Sequence, residues 1–253
     1  MRARASLTVE RDPDGRSSVR ELRSQSPLAL VPRRGTAAGR DPAVTVHLVG
    51  SASTPLAGDD VELDVRVGPG ADLVLTGVAA AVALPGTDRP SRLTVRVDVG
   101  EGASLQYLPE PTVITARADH RTLLSATMGP GARLRCRDVL VAGRSGERAG
   151  RYAGTTRVCD GSRVLLVQTQ ELGDAVLQGS PAHLAGRRVL GTEFLVWDAD
   201  PQVASAGDWW SLTPLAHRGS LATAVGPDAV STRRDLDAAL LAHPGWAAHA
   251  VGG

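Results

Sequence analysis

A turn that ends in Gly-Ala or Gly-Ser recurs four times along the chain at a nearly constant interval. The four pairs are Gly70-Ala71, Gly102-Ala103, Gly131-Ala132 and Gly161-Ser162, so successive turns are 32, 29 and 30 residues apart. A near-constant period in this range is the signature of a repeated supersecondary unit. The chain is therefore predicted to be built from stacked copies of one structural unit.

Apolar residues alternate with polar ones on both sides of each turn. Counted from the Ala or Ser, they stand six and four positions before it and two positions after it: Val65, Val67 and Leu73; Val97, Val99 and Leu105; Ala126, Met128 and Leu134; Thr156 (the polar exception), Val158 and Val164. Spacing by two is typical of strands with one buried face. We interpret each unit as a hairpin, and since a lone hairpin cannot bury its apolar face, the units must stack or wrap around one another.

The remaining segments predict more strands and a little helix. Residues 5–23 read as a hairpin around "RDPDGR", and 43–50, 60–67 and 220–226 read as further strands. Residues 187–197 are apolar on both faces and predict a buried strand. Ser180 and Pro181 begin a brief helix, while Asp228 begins a longer one, packed through Val230, Leu236, Ala239 and Leu240 and ended by Pro244-Gly245. We expect one mostly-β domain over residues 1–253, with helically wound, irregularly stacked strands and one or two short helices, one near the C-terminus.

The charge balance and residue usage exclude several classes of function. The formal net charge is +1, without the basic excess that nucleic-acid binding requires. There is no lysine, which excludes Schiff-base and P-loop chemistry. No stretch approaches 18 uninterrupted apolar residues, and the start lacks the apolar segment of a signal peptide. We expect a cytoplasmic protein that binds neither nucleic acid nor membranes.

No motif for catalysis or for a closed metal site stands out. The six histidines are scattered, and the chain has no G-x-S-x-G nucleophile turn. Cys136 is in phase with Leu134, which predicts a buried thiol, whereas Cys159 falls at a turn. Aromatic residues make up only 3% of the chain, too few for the lined groove of a glycosidase. We therefore expect no enzyme activity.

Four polar features are not required by packing alone. Three are the stretches "LAGDDVEL", "LPEPTVI" (108–114) and "VAGRSGE" (141–147), each of which reads as a surface turn or as a binding segment. The fourth is an alternating row of Arg133, Arg135 and Arg137, opposite Leu134. Such a row suits either a solvated face or an acidic partner surface.

These stretches, in this order, resemble the UreD family of urease accessory proteins, called UreH in some species. The resemblance begins at "RARASLTVERD" and "LRSQSPLAL" and continues through "VELDVRVGPGADLVLT", "LQYLPEPTVI", "VAGRSGE" and "SPAHLAGRRVLGTEFLV". The pair "LPEPTVI" and "GRSGE" is the most specific part. Segments 50–57 and 77–86 depart from the family pattern, which usually has a Gly-Gly pair in the first and polar residues in the second.

The resemblance implies a non-catalytic adaptor with a helically wound β-fold. Such proteins bind apo-urease and UreF directly, and they bind UreG through UreF. They hold no cofactor tightly, and nickel only passes through them on its way to urease. On this basis the candidate nickel-path residues are Asp59, Asp60, Glu110, Glu147 and Glu193. The motif positions carried over are Gly58, Leu108, Pro109, Gly143, Arg144 and Gly146. Arg144 is expected to pair with Glu147 and to hold its loop for a partner.

Two other readings of the strands remain open from the residues alone. One is a β-solenoid that binds or cleaves carbohydrate, which predicts an aromatic-lined groove and a carboxylate pair. The other is a self-associating structural protein, which predicts more regular repeats and polar caps at both ends.

Overall fold

The computed structural model describes residues 1–35, 41–86 and 89–252. Strands take up 53% of the chain and helices 11%, in a solenoid-like arrangement of stacked coils, which confirms the predicted mostly-β fold.

Within the described residues, the strands form two facing sheets. The first has seven strands in the order β14-β13-β11-β8-β5-β1-β2: β1 (Arg2–Arg11), β2 (Ser17–Arg23), β5 (Asp60–Val67), β8 (Ser91–Val99), β11 (Asp119–Met128), β13 (Arg151–Asp160) and β14 (Arg163–Leu172). The second has eleven strands: β3 (Leu28–Pro32), β4 (Val44–Gly50), β6 (Asp72–Gly77), β7 (Ala81–Ala83), β9 (Ser104–Leu108), β10 (Thr112–Ile114), β12 (Arg133–Ala142), β15 (Val189–Val196), β16 (Ser205–Ala206), β17 (Trp210–Pro214) and β18 (Ser220–Gly226).

The glycine turns are corners at which the chain passes from one sheet to the other. Gly70, Gly102 and Gly131 have φ between +64° and +66°, a region that glycine adopts without steric cost. The corners also contact one another, because the Gly70 N–H donates to the Glu101 carbonyl at 2.8 Å and the Gly102 N–H donates to the Pro130 carbonyl at 2.9 Å. The predicted stacking is confirmed.

The prediction that each unit is a hairpin is wrong for the first three corners. There β5, β8 and β11 pair in parallel with one another, while β6, β9 and β12 pair in parallel in the opposite sheet. Only the fourth turn, at Gly161, joins an antiparallel pair, β13 and β14. A bulge between Val158 and Cys159 changes the register there, and Val164 is 40% exposed although it aligns with the buried Leu134.

The main core lies between the two sheets and is built from small aliphatic side chains. Leu63, Leu73, Leu105 and Leu134 are at most 1% exposed, and they are the residues that alternation places on the inner faces. The alanines that follow the first three corners, at 71, 103 and 132, are fully buried. Any larger side chain at these positions would need space that the close approach of the two sheets does not leave.

Four helices are described: α1 (Ala175–Gly179), α2 (Pro181–Leu184), α3 (Ala229–Leu241) and α4 (Pro244–Gly252). The predicted helix starts are confirmed, since Ser180 and Asp228 accept hydrogen bonds from backbone N–H groups of α2 and α3. None of the helices in the described ranges has the length and apolar character needed to span a membrane.

Helix α3 lies on the outer face of the eleven-stranded sheet. Leu236, Ala239 and Leu240 pack as predicted, but Val230 is 81% exposed, because it lies on the solvent side of the first turn. Gly191 on β15 makes the contact close: a Cβ there would lie 2.8 Å from the Leu236 side chain. Helices α1 and α4 are not predicted by the sequence signals; Pro244 marks the end of α3, but it also begins α4.

Candidate functional site

The carboxylates singled out from the sequence lie in separate parts of the molecule. The first, Asp59, is 4% exposed and accepts hydrogen bonds from the Met1 ammonium at 2.9 Å, the Leu56 N–H at 3.0 Å and the Thr54 hydroxyl at 3.3 Å. Burial by itself raises the pKa of Asp59, but these donors outweigh it and hold the pKa below its ordinary value. Gly58 precedes it with φ +87°, in the turn that presents this carboxylate.

Asp60 begins β5 and is half-buried in a small cleft of about 150 Å³. The cleft is also lined by Arg2 and Arg92, so the surroundings of this carboxylate are cationic. Arginine side chains compete with a metal ion for a carboxylate.

Glu110 lies in the strand break made by Leu108, Pro109 and the following residues. Its carboxylate pairs with the Arg233 guanidinium of α3 at 3.0 Å. The approach depends on Gly77, where a Cβ would lie 2.5 Å from the Glu110 nitrogen. The ion pair therefore joins the "LPEP" segment to helix α3.

Glu147 closes its loop through the backbone. Its carboxylate accepts a hydrogen bond from the Arg144 N–H at 3.3 Å, so in the described part of the chain these two residues are joined through the Arg144 backbone and not through the expected ion pair with its guanidinium. Gly143 and Gly146 adopt φ of +76° and +77°. The Arg188 side chain donates to the Gly143 carbonyl at 3.1 Å and to the Arg144 carbonyl, and so fixes the loop from the start of β15.

Glu193 is the most enclosed of the candidates. It is completely buried on β15, under α3, and pairs with Arg135 and, at 2.9 Å, with Arg137. Arg137 also contacts Asp237 of α3 at 3.0 Å, and the Arg135 guanidinium lies 4.3 Å from the centre of the Trp246 ring. The solvated-face interpretation of the arginine row is therefore wrong for Arg135 and Arg137, which serve an internal acidic partner.

A second polar group, not predicted from the sequence, lies between the two sheets. Asp138 projects from the inner face of β12, in phase with Cys136, and its Oδ2 accepts a hydrogen bond from the Tyr152 hydroxyl at 3.1 Å. The Thr122 hydroxyl lies 2.8 Å from the Tyr152 oxygen. Next to them, the Gln170 amide donates to the Thr192 hydroxyl at 3.1 Å. We call these five side chains, Thr122, Asp138, Tyr152, Gln170 and Thr192, the interior polar cluster.

The environment shifts the acidity of this cluster. Burial raises the pKa of Asp138 to about 6, although the hydrogen bonds from Tyr152 and the Val139 N–H oppose the rise. Burial and the neighbouring Asp138 carboxylate also raise the pKa of Tyr152. Tyr152 therefore stays protonated at pH 7, whereas the Asp138 carboxyl group changes its protonation state near pH 6.

Gly154 was a usable sequence signal for this cluster. It occupies an inward position in the middle of β13, where a Cβ would lie 2.1 Å from the Tyr152 hydroxyl. A glycine inside a strand often marks a close approach by another group. Asp138 was a second signal, since it interrupts the inward row of Leu134, Cys136 and Leu140. The buried thiol predicted at Cys136 is confirmed.

An apolar cavity of about 450 Å³ lies at the end of the sheets away from the glycine corners. Its lining includes Glu110, Tyr107 and His120. His120 is 1% exposed, has Nδ1 2.9 Å from the Ser91 hydroxyl, and lies 6.0 Å from Tyr152 between ring centres. Burial lowers the pKa of His120 to about 4, so the imidazole is neutral at pH 7. Polar groups thus extend from the cavity to the interior cluster.

These groups are spread out and do not form a chelating set. Within the described ranges, no three His, Cys, Asp or Glu side chains come together in a group able to hold a metal ion. Instead, single oxygen and nitrogen donors lie apart from one another, at Glu110, at His120 and at Asp138.

Comparison with known proteins gives the family. A family model described as UreD urease accessory protein matches residues 1–251. The chain belongs to the UreD family. It is 51% identical over 245 residues to urease accessory protein UreD 1 of Saccharopolyspora erythraea, with 96% of each chain covered. It is also 41% identical to UreD of Parafrankia sp. (94% of this chain, 87% of the relative) and 35% identical to UreD of Streptomyces coelicolor (95% and 96%). The family resemblance found in the sequence is confirmed.

Proposed function

We propose that the chain is a non-catalytic adaptor in urease maturation. It binds apo-urease and UreF directly and UreG through UreF, and it helps to pass nickel into the urease active site. The observation that carries the proposal is the UreD family match over residues 1–251. The match favours this role over carbohydrate binding, for which the chain supplies few aromatic residues.

The fold is compatible with such a role. Two sheets whose corners are hydrogen-bonded to one another form a stiff body with broad faces, and broad faces suit large protein interfaces. The "VAGRSGE" loop is fixed by Arg188 and half-exposed at Glu147, so it is ordered before a partner arrives. Preordered loops lose less conformational entropy on binding.

We further propose that nickel moves past the polar groups between the sheets, from the cavity at Glu110 and His120 toward Asp138. A neutral imidazole and carboxylate oxygens are ligands that nickel accepts. Because the donors are single and separated, they favour passage over retention. The sequence candidates Asp59, Asp60, Glu147 and Glu193 lie outside this stretch, and they stay in the proposal on the sequence resemblance alone.

Pull-down after co-expression tests the adaptor role. The tagged chain is expressed with the urease subunits and the UreF and UreG homologues, and the captured proteins are identified. We expect recovery of the urease subunits and UreF, with UreG recovered only when UreF is present. Recovery of none of them contradicts the proposal.

Nickel content of the urease tests the route. We expect Asp138→Asn and Glu147→Ala to reduce nickel per urease active site, measured by mass spectrometry of the purified enzyme. Asp98→Asn, on the outer face of β8, is the matched control and should leave loading unchanged. Asp59→Ala and Glu193→Ala also remove structural contacts, so their melting temperatures must be measured beside their nickel loading. Normal loading in Asp138→Asn and Glu147→Ala contradicts the proposed route.

A further inference from the structure

Strand β14 forms one edge of the seven-stranded sheet along its ten residues. It pairs antiparallel with β13 on one side, and no strand in the described part of the chain pairs with its other side. An edge strand presents unpaired backbone N–H and C=O groups, which form a template for another strand.

The other sheet edges carry the features by which proteins protect an edge. Strand β16 has only two residues, and β3 contains Pro32. Strand β2 carries Arg20, Glu21 and Arg23 among its seven residues. Short length, proline and charge all discourage pairing with a second chain. In β14, by contrast, residues 164–170 include no charge and no proline.

Apolar side chains are exposed along the same edge and just beyond it. Val164 is 40% exposed and Val167 is 57% exposed, both on the outer face of β14. Val176 and Leu177 of α1, which follows β14 directly, are 83% and 38% exposed, and α1 buries none of its residues. These four side chains lie within fourteen residues, so exposed apolar surface is concentrated at the unprotected edge.

We propose that a second copy of this chain covers the edge, with the two β14 strands antiparallel across a two-fold axis near Gln168. Antiparallel pairing of identical strands closes after two copies. It brings the end that carries Arg163 against the end of the second copy that carries Glu171, and both side chains are exposed. It also places Val176 and Leu177 of α1 beside Val164 of the second copy. Charge and apolar surface are thus complementary in the same arrangement.

The experiment measures the mass of the purified chain by light scattering during gel filtration, from roughly 1 to 100 µM. We expect twice the chain mass of 26.3 kDa at the upper concentrations. Val167→Lys places a cation at the centre of the edge and should weaken association at least about tenfold. The control is Leu123→Lys, which adds the same charge to the same sheet face on β11, two strands from the edge, and should still dimerise.

A charge exchange tests the arrangement independently of the fold of the lysine variants. Glu171→Arg should weaken association, and the double variant Arg163→Glu/Glu171→Arg should restore it. A wild-type chain that stays monomeric up to 100 µM overturns the proposal. So does equal dimerisation of Val167→Lys and Leu123→Lys, or a double variant no better than Glu171→Arg. Association is measured without urease proteins, so its failure is distinct from failure of the adaptor role.

Discussion

Replacing Glu193 by glutamine is the sharpest test of how helices α3 and α4 are attached to the eleven-stranded sheet. The substitution keeps the size of the side chain and removes its charge. Arg135 and Arg137, which are 7% and 6% exposed, then lose the carboxylate that they share. A buried charge left without its partner typically costs 3–5 kcal/mol.

The expected loss lies near the lower end of that range. Asp237 still contacts Arg137 at 3.0 Å, but it is 4.0 Å from Arg135 and its side chain is 55% exposed, so it compensates only part of the charge. We therefore expect the free energy of unfolding to fall by about 3 kcal/mol. For a chain of this length that corresponds to a melting temperature roughly 6–12 °C lower.

Urea unfolding followed by circular dichroism at pH 7 measures the change, with the free energy obtained by linear extrapolation. Asp98→Asn is the control, because its ion pair with Arg66 spans 3.9 Å between two largely exposed side chains. That variant should lose less than about 1 kcal/mol. A Glu193→Gln loss no larger than the Asp98→Asn loss would refute the reasoning.

A triple variant separates charge from packing. Arg135→Met, Arg137→Met and Glu193→Leu together replace the ion cluster by apolar side chains of similar size. Such replacements are often neutral or stabilising, although the contact of Arg135 with Trp246, worth roughly 0.5–2 kcal/mol, is lost. We expect the triple variant to be more stable than Glu193→Gln.

Two further predictions concern the interior polar cluster. Gly154→Ala places a methyl group where the Tyr152 hydroxyl lies, and we expect the free energy of unfolding in urea to fall by about 1–3 kcal/mol. The control is Gly179→Ala, which has open space around its Cβ and should change the stability little. A Gly154→Ala variant as stable as wild type would contradict the close contact. For Asp138→Asn we predict a change in pH dependence. The pKa of Asp138 in the folded state is about 6, above its ordinary value of 3.8, so the native state holds this proton more tightly than the unfolded state does. The wild-type protein therefore loses stability as the pH rises from 4 to 7. The variant lacks that loss, and its stability relative to wild type should rise over this interval by roughly 1.4 kcal/mol per unit of raised pKa; a difference that stays flat from pH 4 to 7 would contradict it.

The repeat of glycine turns predicted the stacked architecture but not the path of the chain through it. Period-two alternation identifies a buried face and is the same for a hairpin and for two strands in opposite sheets. Only the partner strands distinguish the two, and in parallel stacking those partners are about 30 residues away in sequence. Local turn signals therefore located Gly70 and Gly102 correctly and left the pairing open.

The candidate sites show a similar limit. The sequence identified Glu147 and its loop, because glycines at 143 and 146 punctuate it clearly. It did not reveal that Glu193 faces α3, since a strand apolar on both faces gives no indication of which side a charge occupies. Asp138 is visible in the sequence as an interruption of an inward apolar row, but its partner Tyr152 belongs to the opposite sheet, and no local pattern indicates that contact.

The hydrogen bonds between successive corners also restrict how relatives of this chain can change in length. Each corner is held in step with the next, as between Gly70 and Glu101 and between Gly102 and Pro130, so an inserted residue there would disturb every coil beyond it. At the opposite end successive coils are also joined, for example where the Arg92 N–H donates to the Asp59 carbonyl at 2.7 Å. The chain there crosses between the sheets in longer segments, such as the one from Gly77 to Ser91, whereas a corner spans only the residues between Val67 and Asp72. A longer crossing accommodates an inserted residue more readily than a corner does. Differences in length among homologues should therefore gather at the end that holds the cavity, leaving one rim of the molecule constant and the other free to diversify.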